Sequence, residues 1–151
     1  MKEINHLIAV GAMVEKDGKI LLVQEKKPRA YRLWNTPAGH LDKGETVMAG
    51  ARREVKEETG YDVRINGLLG VYLHDGLQNE NLTVIKIVFR ASIIGGELKF
   101  PKDELLDARW FEPSKALAMK DSQLRSSSIR KEIEDYVKNI NYPVNIIRNE
   151  A

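Results

Sequence analysis

The chain has 151 residues, 42% of them hydrophobic and 30% charged, with a formal net charge of +2. That length and balance fit one globular domain over residues 1–151 and exclude a disordered or fibrous chain. Lysine and arginine are spread along the sequence, so neither a nucleic-acid polymer nor a membrane is expected as partner, and the absence of cysteine removes disulfides and thiolate metal sites.

In chain order, the N-terminal apolar stretch is too short for a membrane span and wrongly flanked for a signal peptide, so a cytoplasmic protein is expected. HLIAVGAMV and KILLVQEK are apolar, β-branched-rich runs joined through Asp17-Gly18, which predicts an antiparallel hairpin. KPRAYRLWNTPAG lacks periodicity and carries two prolines, so it reads as a surface loop leading to a short extended piece near Trp34 and Thr36. Residues 46–59 read as a helix closed by Gly60. YDVRINGLLGVYLH and LTVIKIVFRASII read as longer strands separated by the polar loop DGLQNEN, with the second open as an edge or an interior strand. PKDELLDARWFEP predicts one helical turn and a short strand at ARWF, and SKALAM and SSSIRKEIEDYVKNI predict terminal helices. The fold class is α/β, a mixed sheet sandwiched between helices.

The first long helix gathers like charges. At about 100° of rotation per residue, Val47, Ala51 and Val55 form a packing stripe, with Glu54 and Glu58 at its edge and Glu57 just beyond. Glu54 and Glu58 are an i,i+4 like-charge pair, unfavourable by a few tenths of a kcal/mol in an isolated helix. A divalent cation reverses that sign, because carboxylate oxygens are the hard ligands that Mg²⁺ and Mn²⁺ prefer. A solvated charged face is the alternative, with Arg53 and Glu57 as a favourable pair. Against it stand the inward lean of Glu54 and Glu58 and the loop bearing Gly39 and Gly44 directly before the helix.

Gly39 is followed at fixed intervals by Glu45, Arg53, Glu54, Val55, Glu57, Glu58, Gly60 and Tyr61. This spacing resembles the signature of the Nudix hydrolases and departs from it only in Tyr61, aromatic where an aliphatic residue is usual. The two leading strands, LWNTPAGH and DELLDARWFEP resemble the family as well. The resemblance implies a Nudix α/β/α sandwich that binds Mg²⁺, with Mn²⁺ as a substitute, through Glu54, Glu57, Glu58 and the carbonyl of Gly39. Arg53 would orient Glu54 and its neighbours. Glu45 would lie in an outer metal position or simply favour the helix dipole. Glu104 resembles the further acid that a later loop supplies, against a plain surface role and with Asp103 as competitor. One carboxylate, in the helix or Glu104, would take the proton from water, and the sequence leaves open which.

Substrate choice lies elsewhere. Leu124, Arg125, Ser126, Tyr142 and Pro143 resemble a NudJ-type phosphatase subgroup, with Ser127 where a proline is usual. That implies a small phosphorylated substrate: nucleoside tri- and diphosphates or thiamine-pathway pyrophosphates, with release of orthophosphate. Arg29, Arg32 and Arg125 read as phosphate contacts or solvated arginines, and Trp34 as a stacking surface or a core anchor. The other functions kept open are a nucleotide-pool sanitising triphosphate pyrophosphohydrolase, an ADP-ribose or dinucleoside polyphosphate hydrolase, and a non-catalytic Nudix nucleotide-binding module. The retention of every signature glutamate favours catalysis over the last. Monomer and homodimer are both compatible with the sequence.

Overall fold

The opening hairpin is formed by β1 (His6–Lys16) and β2 (Lys19–Glu25) in the computed structural model, which describes residues 5–76 and 79–149. Asp17 and Gly18 both take positive φ, 52° and 78°, the conformation that a two-residue turn matching the strand twist requires. The start of the N-terminal stretch, Met1–Ile4, and the middle of the DGLQNEN loop, Leu77 and Gln78, lie outside the described residues. Around that loop the strands run further than expected, to Gly76 on one side and from Asn79 on the other.

Beyond the turn β1 and β2 pair only at Glu15 with Ile20 and Lys16 with Lys19, and then diverge. The gap is filled by the segment read as a loop with a short extended piece: β3 (Trp34–Asn35) pairs with β2, and β4 (Ala38–His40) with β1. On its other edge β1 runs parallel to β6 (Asn79–Gly96), which is antiparallel to β5 (Tyr61–Gly76). LTVIKIVFRASII is thus an interior strand and β5 is the edge. The strand expected at ARWF is β7 (Leu105–Phe111), antiparallel to β2, so that seven strands among the described residues join one mixed sheet.

Alternation along the strands makes two cores. Val10, Ala12, Val14, Leu21 and Val23 face α1 (Val47–Thr59), where Ala51 and Val55 are buried against Phe89 and Ala91. Met13, Ile20, Leu22 and Val88 point the other way, toward Ala116 of α2 (Pro113–Leu117) and Ile129 and Ile133 of α3 (Ser128–Val137). Each fully buried Leu or Ile side chain contributes about 1.5–3 kcal/mol, so each strand residue is committed to one layer. The sheet between helices matches the expected fold class.

The expected boundaries of α1 hold. The Thr46 hydroxyl accepts the Ala49 amide at 3.1 Å, a cap that contributes about 1 kcal/mol. Gly60 closes the helix at φ 81°, donating its amide to the Lys56 carbonyl at 2.9 Å. Among the described residues no helix is long and apolar enough to cross a membrane.

Candidate active site

The divergence of β1 and β2 opens a cleft of about 680 Å³. Its lining includes the acids Glu54, Glu57 and Glu58 from α1, Glu25 from the end of β2, and Glu104 from the turn before β7. The basic residues of the lining include Lys27, Arg29, Lys86 and Arg125.

Glu58 is anchored by the Ala38 amide, which donates to its Oε1 at 2.7 Å. Burial, reinforced by the nearby Glu25 charge, pushes its carboxyl well above the usual range despite that bond. Glu54 also titrates high, chiefly through burial, with Arg53 opposing and Glu57 and Asp42 adding to the rise. Glu57 is different, with a side chain 57% exposed at the mouth.

Arg53 ties this edge together. It donates to Glu54 at 2.7 Å, to Glu57 at 3.2 and 3.3 Å, and to the His40 carbonyl at 3.0 Å. Both oxygens of Glu45 hold the guanidinium, at 2.7 and 3.0 Å, and the Asp42 amide donates to Glu45 at 2.8 Å. The fork of donors keeps the Glu45 carboxyl down at about 2. Glu45 therefore anchors Arg53 and closes the turn before α1. Gly39 lies against the Glu54 carboxylate so closely that a Cβ there would overlap it, and any larger residue would displace that carboxylate.

Of the residues expected at the site, Gly39, Glu54, Glu57, Glu58, Glu104, Arg29 and Arg125 line this cleft. Asp103, the competitor of Glu104, does not. Arg32 is also off the lining: at φ 71° it turns the chain, its amide donating to the Glu25 carbonyl and its own carbonyl accepting from Gln24. Trp34 is 7% exposed, edge-on to Phe111 at 4.9 Å, with Arg109 over its ring at 5.5 Å. Trp34 is packed as a core anchor and does not join the lining of the cleft.

Arg125 gains its place by backbone pairing. Its amide donates to the Trp34 carbonyl at 2.8 Å, and Leu124 bridges Trp34 in parallel, so the Leu-Arg-Ser segment extends the sheet beside β3. Sequence reasoning missed Glu25, Lys27, Asn35, Lys86 and Glu132. The last two had a signal: Lys86 interrupts the apolar run of β6, and Glu132 shares the Ile129, Ile133, Tyr136 stripe of α3.

The donor set is one of hard oxygens, three helix carboxylates beside the carbonyl of Gly39, which suits Mg²⁺ or Mn²⁺. Among the described residues no three acids or histidines already converge on one point, because Arg53 and the Ala38 amide hold the carboxylates instead. Two of these acids are desolvated without full compensation, which a divalent cation bound there would supply.

The NUDIX domain model matches residues 5–131. The chain belongs to the Nudix hydrolase family. Nudix hydrolases generally use divalent metals and act on small phosphorylated substrates. This Nudix chain is 40% identical over 105 residues to an ADP-ribose pyrophosphatase of Methanocaldococcus jannaschii, covering 70% of the chain and 61% of that protein. A nudix hydrolase of Caenorhabditis elegans is 35% identical over 122 residues, 80% of the chain but 32% of that protein. The chain thus spans less than two thirds of the length of both relatives. Phosphatase NudJ of Shigella boydii is 30% identical over 141 residues, 93% of the chain and 89% of that protein. A NUDIX hydrolase structure from Nitrosomonas europaea superposes with a TM-score of 0.84 at 31% identity, over 95% of this chain and 97% of that one.

Proposed function

We propose that the chain is a Mg²⁺-dependent hydrolase of phosphoanhydride bonds in nucleoside tri- and diphosphates or related pyrophosphates, releasing orthophosphate. The observation that carries this is the mixed charge of one cleft of about 680 Å³, in which glutamates from α1 share the lining with Lys27, Arg29 and Arg125. A diphosphate repels an incoming nucleophile, so hydrolysis needs both cations on its oxygens and a base for water. A divalent cation held by Glu54, Glu57, Glu58 and the Gly39 carbonyl supplies charge neutralisation and acidifies water.

The rest is done by the chain. Arg53 fixes the orientation of Glu54 and Glu57 from behind. Arg29 and Arg125 grip phosphate oxygens, each with a planar fork suited to two parallel hydrogen bonds. Glu104, exposed in the turn before β7, is a proton acceptor for the attacking water, with a helix glutamate as the alternative. The coverage of the NudJ relative, 89% of its length including the Arg125 segment, supports phosphatase chemistry.

A second reading is hydrolysis of ADP-ribose, favoured by the 40% identity to the archaeal protein of that name. A product screen with Mg²⁺ and with chelator, over nucleoside tri- and diphosphates, thiamine diphosphate and ADP-ribose, separates the two. Stepwise orthophosphate, abolished by chelator, is the expected result. Cleavage of ADP-ribose in preference to the rest replaces it with the second reading, and silence across the panel overturns both in favour of a binding module.

A further inference from the structure

A buried charge pair that the chemistry above does not use joins the cleft wall, where Lys86 is part of the lining, to α3, where Glu132 sits. Lys86 of β6 is 3% exposed and Glu132 of α3 is 0% exposed, with the Lys86 ammonium donating to both Glu132 oxygens at 3.0 and 3.1 Å. The ammonium also donates to the Thr36 hydroxyl at 2.6 Å and to Asn35 Oδ1 at 3.0 Å. Thr36 in turn donates to Glu132 at 2.8 Å. Ser128 donates to the other Glu132 oxygen at 2.8 Å and shares a hydrogen bond of 2.9 Å with Ser126. The three N–H groups of the lysine are thus all engaged within the protein.

Stability does not explain such a pair. Its surroundings are apolar, Val84 and Val88 along β6 and Ile129 and Ile133 on α3. Replacing a buried ion pair by apolar side chains of similar volume is often neutral or stabilising, whereas removing one partner alone is strongly destabilising. Apolar packing is not directional, however, and this network joins four segments in fixed orientations: β3 with the adjoining Thr36, β6 with Lys86, α3 with Ser128 and Glu132, and the turn at Ser126. Those segments carry the substrate-facing wall. Asn35, Arg125 and Ser126 line the cleft, and the Arg125 amide is bonded to the Trp34 carbonyl.

We infer that Lys86 and Glu132 form a positioning pair that holds the Arg125–Ser126 wall in register with the carboxylate helix and so sets affinity for the phosphorylated substrate rather than the rate of bond cleavage. The inference deepens the hydrolase reading of the same cleft and rests on it.

The test is the double variant Lys86→Met, Glu132→Leu, compared with wild type in thermal unfolding, in steady-state kinetics, and in calorimetric binding of a non-hydrolysable α,β-methylene nucleoside diphosphate. The expected result is a folded protein of near wild-type melting temperature, with KM and the analogue Kd raised about tenfold and kcat kept within about threefold. A stable double variant with unchanged KM and Kd overturns the inference, as does one that loses kcat at constant KM. If the double variant does not fold, Ser128→Ala, which cuts only the link to the turn, decides by the same two constants. A wild-type chain that neither hydrolyses nor binds overturns the hydrolase reading and this inference together, an outcome distinct from an active wild type matched by its variant.

Discussion

Both carboxylate oxygens of Glu45 grip the Arg53 guanidinium, at 2.7 and 3.0 Å, from the turn that precedes the helix. Arg53 is thereby fixed from one side while it fixes Glu54 and Glu57 on the other. Arg53→Lys, which keeps the charge but loses the fork, is expected to lower kcat at least about tenfold. Partly exposed ion pairs contribute about 0–1 kcal/mol, so thermal unfolding should barely move. A variant of wild-type turnover removes Arg53 from its orienting role.

Glu57→Gln and Glu58→Gln should each reduce turnover at saturating Mg²⁺ by about a hundredfold or more, the scale of losing a charge-stabilising or acid-base group. Circular dichroism should show the fold intact. Activity surviving in the double variant contradicts their assignment to the metal.

The pH dependence has a defined sign. Glu54 and Glu58 have folded pKa values above their unfolded value of 4.5, so between those values the native state binds more protons than the unfolded one. With chelator present, their contribution to stability therefore grows as pH falls from neutral through the raised values, and is complete below the unfolded value. Mg²⁺ requires the deprotonated carboxylates, so its binding should release protons and strengthen with pH. Glu45 acts oppositely: its contribution is present above 4.5 and is lost as pH falls toward about 2. Melting temperatures measured from neutral pH down to 4.5, with Mg²⁺ and with chelator, check the first slope, and a chelated series from 4.5 toward about 2 checks that of Glu45; a chelated protein losing stability on the first descent rejects the first.

Trp34→Ala should cost about 3–5 kcal/mol in chemical denaturation, the range for emptying a large aromatic site in a core. Trp34→Phe should recover much of that and leave KM unchanged. A raised KM at full stability in the phenylalanine variant restores the stacking role.

Much of the fold was legible because its signals are local. Asp17-Gly18 sets the hairpin, Thr46 and Gly60 bound the helix, and the interval from Gly39 to Tyr61 places the acids on one edge. The parting of β1 from β2 was not, since nothing in either apolar run says that pairing stops after Glu15 and Lys16 and that residues 34–40 intervene. Glu25 was missed for the same reason: it joins the acids only because the fork brings the end of β2 beside α1. Arg32 and Trp34 have side chains suited to substrate, yet neither joins the cleft lining, because where the chain turns at Arg32 and how Trp34 packs on Phe111 depend on residues distant in sequence.

The parallel seam between β1 and β6, from His6 with Thr83 to Glu15 with Ser92, also has a temporal consequence. The hairpin and α1 close short loops and form from nearby sequence, whereas this seam brings together segments just over half the chain apart, which slows folding. On the ribosome β1 waits until β6 emerges with its partner β5. Ile8, Val10 and Ala12, early in the chain, stay without their interior neighbour through that interval, which makes the N-terminal strand the segment most in need of chaperone protection during synthesis.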